Sequence, residues 1–310
     1  MNITEVFLQK KLRLTEQLLQ GFDIANDLAV YGQKTTIKDG VAHSYFDAVS
    51  YHPSLVRKSL DSHEHLSMFP VVFDYLDLMV DQHYGTSDKL FRDKLNIFRR
   101  KNRQPDPLLR HIEIMVFDYA ITVRNKLVHH KTRFSACGKF LEVKGGMRLE
   151  IACFRTLNRL IHFLVRRMAA SKPLSLYQRA LLVSAYRAVF GHLDRRLDGL
   201  LARGPWLPSM NIDYSRYLVD MAQEEMAEDV VLFDRLARFP DPTGYPDREA
   251  FLKAHPDPDC KIMYGGFTYR LGYRGTVLRV PAEAIRQHPT YRLADFQHWS
   301  EQATQATRQM

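Results

Sequence analysis

Between the break at Gln104-Pro105-Asp106-Pro107 and His130, the chain holds one uninterrupted stretch of helical periodicity that is apolar on two sides. At about 100° per residue, Leu108, Ile112, Met115, Val116, Tyr119, Val123 and Leu127 share one stripe. Ile114, Phe117, Ile121 and Val128 form a second stripe on nearly the opposite side. A helix with two apolar sides must be covered twice. Either it lies at the centre of one bundle, or its second side meets another copy of the chain. Both arrangements commit the chain to helix-on-helix packing.

The remaining pattern is largely of the same kind. Helical spacing runs from about Thr4 to Tyr31 with Gly32 as a stop, and Gly40 and Pro53 punctuate a loop-like stretch. Leu66–Tyr84 reads as a helix ended by Gly85. Ser87 or Asp88 is placed to cap the next helix, which passes Phe91, Leu95 and Phe98 into the basic run Arg99-Arg100-Lys101. Phe140–Val143 and Met147–Ile151 around Lys144-Gly145-Gly146 predict a β-hairpin. Helices are expected over 151–170, 175–203 and 214–238, with Pro205 and Pro208 marking a boundary. Short strands are expected at Phe267–Leu271 and Thr276–Val280 around Gly272 and Gly275, followed by a terminal helix. The expected organisation is a helical domain over 1–170 with its hairpin at about 140–151, a helical extension over 171–240, and a small α+β element over 241–310.

Composition narrows the class. With 310 residues, 45% hydrophobic, and charges of both signs making up 25%, the chain can bury a core. No run approaches the roughly 18 apolar residues of a membrane span. The N-terminal MNITEVFLQKKLRLTEQ carries charges inside its apolar pattern, unlike a signal peptide, so a cytoplasmic protein without membrane association is expected. Cys137, Cys153 and Cys260 are widely spaced and contain no CxxC pair, which predicts ordinary buried or half-buried thiols. The net charge of +9 suits a polyanionic partner, because phosphate neutralisation releases counterions.

The end of the two-sided helix carries the chemistry: Val123-Arg124-Asn125-Lys126-Leu127-Val128-His129-His130-Lys131. Spacing alone decides little, since Arg57/His63, Arg155/His162, Arg187/His192, Arg248/His255 and Arg292/His298 also pair an Arg with a His four to six intervening residues on. The stretch at 124 adds Asn125, a second His and the flanking Lys126 and Lys131. On a helix, His129 lies one turn beyond Asn125 on the same face. Arg124 and His129 are about 140° and roughly 7.5 Å of rise apart, too divergent to clasp one phosphate unaided. An imidazole with an ordinary pKa of about 6.5 can take or give a proton near neutrality. A guanidinium offers a planar, permanently charged fork to phosphate.

This stretch resembles the signature of the HEPN superfamily, over perhaps residues 60–170 of the chain. The resemblance implies a mainly α fold: an up-and-down helical bundle, here with a helical extension and a small mixed α/β C-terminal element. It implies a homodimer whose two copies build one composite, metal-independent ribonuclease site that needs no cofactor. RNA supplies its own 2′-hydroxyl nucleophile, leaving 2′,3′-cyclic phosphate and 5′-hydroxyl ends. Arg124, Asn125, His129 and His130 are then the catalytic candidates, with Lys126, Lys131, Arg99 and Arg100 holding the RNA backbone. A role as a stress or phage-defence effector, with a regulatory or antitoxin partner, also follows from the resemblance. Where HEPN toxins controlled by AMP transfer carry a Tyr two residues after the His, this chain has Lys131. Two alternatives stand beside it: a non-catalytic helical RNA-binding or scaffold protein, and a metal-dependent hydrolase using His52, His63-Glu64-His65 and His83.

Overall fold

A computed structural model describes residues 3–25, 29–38, 41–46, 58–129, 134–135, 137–142, 148–170, 174–191, 195–203, 215–225, 245–246, 248–256, 267–281, 284 and 292–301. The chain is mainly helical and divides into two compact units. One comprises Met1–Asn26, Val56–Ser171 and Ala185–Trp206; the other comprises Asp27–Leu55, Lys172–Ser184 and Leu207–Met310.

The first unit is a helical bundle. It contains α1 (Ile3–Gln20), α2 (Ser62–Tyr84), α3 (Phe91–Lys101), α4 (Pro107–Val128), the hairpin β3–β4 (Phe140–Glu142, Arg148–Glu150) and α5 (Cys153–Ala170). The end of α6 (Leu176–Phe190) and α7 (Arg195–Arg203) complete it. Local chemistry sets the main boundaries. Asp61 Oδ1 accepts the His63 and Glu64 amides, each at 2.8 Å, while Glu64 Oε2 accepts the Asp61 amide at 2.9 Å. This reciprocal cap starts α2, and Gly85, at φ 64°, ends it in the left-handed conformation that glycine adopts without strain. Asp106 caps α4 through the Leu108 and Leu109 amides, and Pro107 occupies the first turn, where its missing N–H costs nothing.

Aromatic rings join the helices. Phe69 of α2 meets Phe154 of α5 edge-on at 5.5 Å. Phe73 of α2 and Phe98 of α3 both reach Phe117 of α4, at 6.4 and 5.4 Å. All five rings are fully buried, each contributing about 1.5–3 kcal/mol of hydrophobic stabilisation. Two polar clusters are buried with them. Lys94 of α3 places its ammonium on Asp77 (2.8 Å) and Asp81 (2.9 Å) of α2, and the Thr86 hydroxyl donates to Asp81 at 2.7 Å. Asp23, in a 3-10 turn after α1, receives Arg159 (3.1 Å) and Arg155 (3.2 Å) of α5 and faces the buried His65 ring of α2 at 3.3 Å.

The second unit is built on a five-stranded mixed sheet. Its strands are β1 (Ala29–Lys38), β2 (Val41–Phe46), β5 (Ser215–Glu225), β6 (Phe267–Tyr273) and β7 (Thr276–Pro281). Their order is β2-β1-β5-β6-β7, with β1, β5 and β6 parallel and the two edge strands antiparallel. Arg274 and Gly275, both at positive φ, make the two-residue turn between β6 and β7. The first turn of α6 is tied to β6 by Tyr177 Oη and Thr268 Oγ1 at 3.0 Å, and α8 (Arg248–Ala254) lies in the long connection between β5 and β6.

Several sequence expectations are corrected. The N-terminal helix ends at Gln20, and β1 occupies the stretch expected to be helix and loop. Residues 215–225, expected as helix, form the central strand β5. Its apolar Tyr217, Leu218, Val219 and Met221 form a short, nearly continuous run, which periodicity alone does not assign to helix or strand. The expected helix over 175–203 is two helices, with Gly191 at φ 70° closing the first. The cap of α3 is Leu90, without a side-chain hydrogen bond, rather than Ser87 or Asp88. Among the described residues, the expected terminal helix is a 3-10 segment, Leu293–Trp299. In the second unit, β1 and β2 belong with the C-terminal strands. By contrast, the hairpin and the positions of α2, α4 and α5 agree with the pattern.

Candidate functional site

The antiparallel return of α3 along α4 fixes the surroundings of the motif. The Pro105–Pro107 break reverses the chain, so Asn102 meets Glu113, Arg99 meets Asp118, and Phe91 meets Arg124. Arg124, Asn125 and Lys126 are half-buried in the last turns of α4, and His129 is exposed. His129 is also the C-cap, its amide donating to Asn125 O at 3.3 Å. His130 and Lys131 lie outside the described residues.

Arg124 Nη1 donates to Asn125 Oδ1 at 3.3 Å, and its guanidinium carbon lies 5.2 Å from the centroid of the Phe91 ring. A guanidinium has five N–H donors, so among the described residues this bond leaves most of its donor capacity for a ligand. The Asn125 amide oxygen is therefore engaged with Arg124, not with His129. Asp118, Thr122, Asn125 and His129 follow one another at i, i+4, i+7 and i+11 and share a face of α4. Arg99 sits on Asp118 at 2.7 Å, which places it on the His129 face but about 16 Å earlier along the helix. The Arg100 Nε donates only at 3.4 Å, to Asn96 O of its own helix. The motif residues are thus together, while Arg99 and Arg100 stand a helix length away.

The second apolar stripe is largely spent within the bundle. Phe117 is fully buried between Phe73 and Phe98, and Ile114 and Ile121 are half-buried. What stays open is the last turn: Val128 is 40% exposed, and Leu90, next to Phe91, is 77% exposed. The central-helix arrangement accounts for the first half of α4. On α4 the exposed apolar side chain is Val128, at the end that carries the motif; elsewhere among the described residues Phe7, Leu14 and Leu18 of α1, and Phe134, are exposed as well.

Of the histidine-rich alternative, His52 lies outside the described residues, and the others are not gathered into one site. His63 is exposed, Glu64 is taken up by the cap of α2 and by Lys58 at 3.1 Å, and His65 is buried against Asp23. No group of three metal-binding side chains occurs among the described residues. Cys153 is half-buried as expected, but Cys137 is exposed, with its thiol pulled below the usual range by the Ser135 hydroxyl and the Lys139 amide. Cys260 lies outside the described residues.

Three features escaped the sequence reading. Lys94 falls on the inward face shared by Phe91 and Phe98, opposite Asp77 and Asp81 at i, i+4 on α2, and that pairing was the available signal. Glu113 is buried in mid-helix, where burial pushes its carboxyl up to about 7 against the lowering effect of bonds from Asn102 and Gln104. Phe91 beneath Arg124 had no local signal.

No family model matches the chain, and no match is found among curated proteins or solved structures. Among the described residues, no helix is long and apolar enough to cross a membrane.

Proposed function

We propose that the chain is a metal-independent endoribonuclease of HEPN type, acting as a homodimer in which two α4 ends face each other across one RNA strand. The observation that carries this reading is the open end of α4. There an exposed imidazole, His129, stands one turn beyond an Arg124–Asn125 pair whose guanidinium keeps donors to spare. His129 removes the 2′-hydroxyl proton or protonates the leaving 5′-oxygen. Arg124 holds the negative phosphorane, where charge-assisted bonds strengthen as charge develops. Lys126, with Lys131, Arg99 and Arg100, contributes to backbone affinity, and His130 supports His129. Uncovered Leu90 and Val128 beside the motif supply apolar contact for the second copy. In this reading the sheet unit senses, binds or restrains, and the effector role in stress or phage defence follows.

Purified protein incubated with RNA in excess EDTA tests the reading. Cleavage persists, His129→Ala abolishes it with RNA affinity nearly intact, and Arg124→Ala impairs both. Cleavage that requires a divalent metal refutes the assignment. Binding without cleavage by the wild type selects the second reading, a non-catalytic RNA-binding bundle, which is favoured by the burial of Phe117 inside the protein's own core.

A further inference from the structure

Two cations lie close to the Phe91 ring. On α4, the Arg124 guanidinium lies 5.2 Å from its centroid. On α3, the Lys94 ammonium lies 5.5 Å from it. These two cations are held very differently. Lys94 is buried, and its ammonium donates to both Asp77 oxygens (3.0 and 2.8 Å) and to Asp81 (2.9 Å). An ammonium has three donors, so Lys94 is saturated and withdrawn from any phosphate. Arg124 is half-buried and gives one bond, to Asn125.

The ring itself is fixed from behind. Phe91 meets Phe73 of α2 edge-on at 5.3 Å, and Phe73 stacks on Phe117 of α4. Asp81, the far end of the ion cluster, also accepts the Thr86 hydroxyl, which closes the turn between α2 and α3. A continuous chain of contacts therefore runs from the rigid centre of the bundle, through Lys94 and Phe73, to one aromatic face, and from that face to Arg124.

We propose that Phe91 is a positioning residue for Arg124. Its ring is a shelf that holds the guanidinium at the open end of α4 in one orientation, and the Lys94–Asp77–Asp81 cluster anchors the shelf. The inference rests on the reading of Arg124 as the phosphate-binding group. A long arginine side chain has many rotamers, and a transition-state contact is effective only when its geometry is fixed beforehand. A ring face restricts the guanidinium without consuming its N–H donors, which a carboxylate partner would do.

The test compares Phe91→Leu, Phe91→Tyr and Phe91→Trp in full-length protein, with the Arg124→Ala and Phe91→Leu/Arg124→Ala chains as the remaining corners of a double-mutant cycle. Phe91→Leu is expected to lower the cleavage rate constant about three- to thirtyfold, with RNA affinity changed far less. Phe91→Tyr and Phe91→Trp, which keep a ring face, retain most of the rate whatever their thermal midpoints. In the Arg124→Ala background, Phe91→Leu adds nothing further. Independently of cleavage, the Arg124 side-chain protons carry a ring-current NMR shift in the wild type and the Tyr variant that is lost in the Leu variant. Wild-type protein that cleaves no RNA sinks the nuclease reading and leaves the shelf to be judged by the NMR shift. A Phe91→Leu protein that cleaves at the wild-type rate, an additive double mutant, or an unchanged Arg124 shift overturns the positioning role alone.

Discussion

Glu113→Gln is expected to remove a steep pH dependence from the stability of the bundle. Glu113 is 4% exposed in the first half of α4, and its Oε2 accepts Asn102 Nδ2 at 2.7 Å. Burial raises its carboxyl from the ordinary 4.5 to about 7; Asn102, Gln104 and Arg167 oppose the rise, and Asp106 adds to it. Because the folded chain holds this proton more tightly than the unfolded chain, the group's contribution is full below pH 4.5. It is lost as pH climbs through 7. A span of about 2.5 units at about 1.4 kcal/mol per unit limits the loss to about 3–4 kcal/mol, most of it between pH 4.5 and 8. Glutamine keeps an acceptor for Asn102 and has nothing to ionise. Urea unfolding of both proteins at pH 5, 6, 7 and 8 isolates the effect, since every other titrating group is common to the two and cancels in the difference. The stability of Glu113→Gln relative to the wild type should rise by about 2–3 kcal/mol across that range. A difference that stays flat, or falls, refutes the placement of a carboxyl whose ionisation burial opposes.

Three further outcomes are expected. Lys94→Met leaves the buried Asp81 and the half-buried Asp77 without their cation and should destabilise the chain by about 3–5 kcal/mol in chemical denaturation. Gly85→Ala forces a Cβ into a left-handed C-cap and should cost about 1 kcal/mol in the same assay, although open space surrounds the site. Lys126→Ala should weaken single-stranded RNA binding uniformly across sequences and reduce the slope of log affinity against log salt by about 0.7, read by fluorescence anisotropy.

The parts of this fold that local chemistry decides were legible in the sequence. Gly85 and the Pro105–Pro107 break mark element ends through conformations that few other residues adopt, and the observed boundaries follow them. The strands β6 and β7 were legible beside Gly272 and Gly275, but the rest of the sheet was not, because pairing β1 with β5 joins residues such as Val30 and Arg216 that lie far apart in the sequence, and no local period encodes it. The same division holds at the site. Arg124, Asn125 and His129 stand out as one cluster on one helix, and their faces followed from the helical period alone. Phe91 did not stand out, since its contact with Arg124 depends on the α3–α4 reversal. Lys94 was hidden by its charge: a lysine in a basic helix reads as solvated until the two carboxylates opposite it are in place.

The central claim, that the end of α4 turns a ribose against its own phosphodiester, is tested most directly with an oligonucleotide carrying one cleavable ribonucleotide among 2′-deoxy residues, incubated with the protein in EDTA. A single cut 3′ to that ribose is expected, with a 2′,3′-cyclic phosphate on the upstream fragment and no cut when the lone 2′-hydroxyl is replaced by hydrogen. Scission of the all-deoxy strand, or a product ending in 3′-hydroxyl, would contradict it.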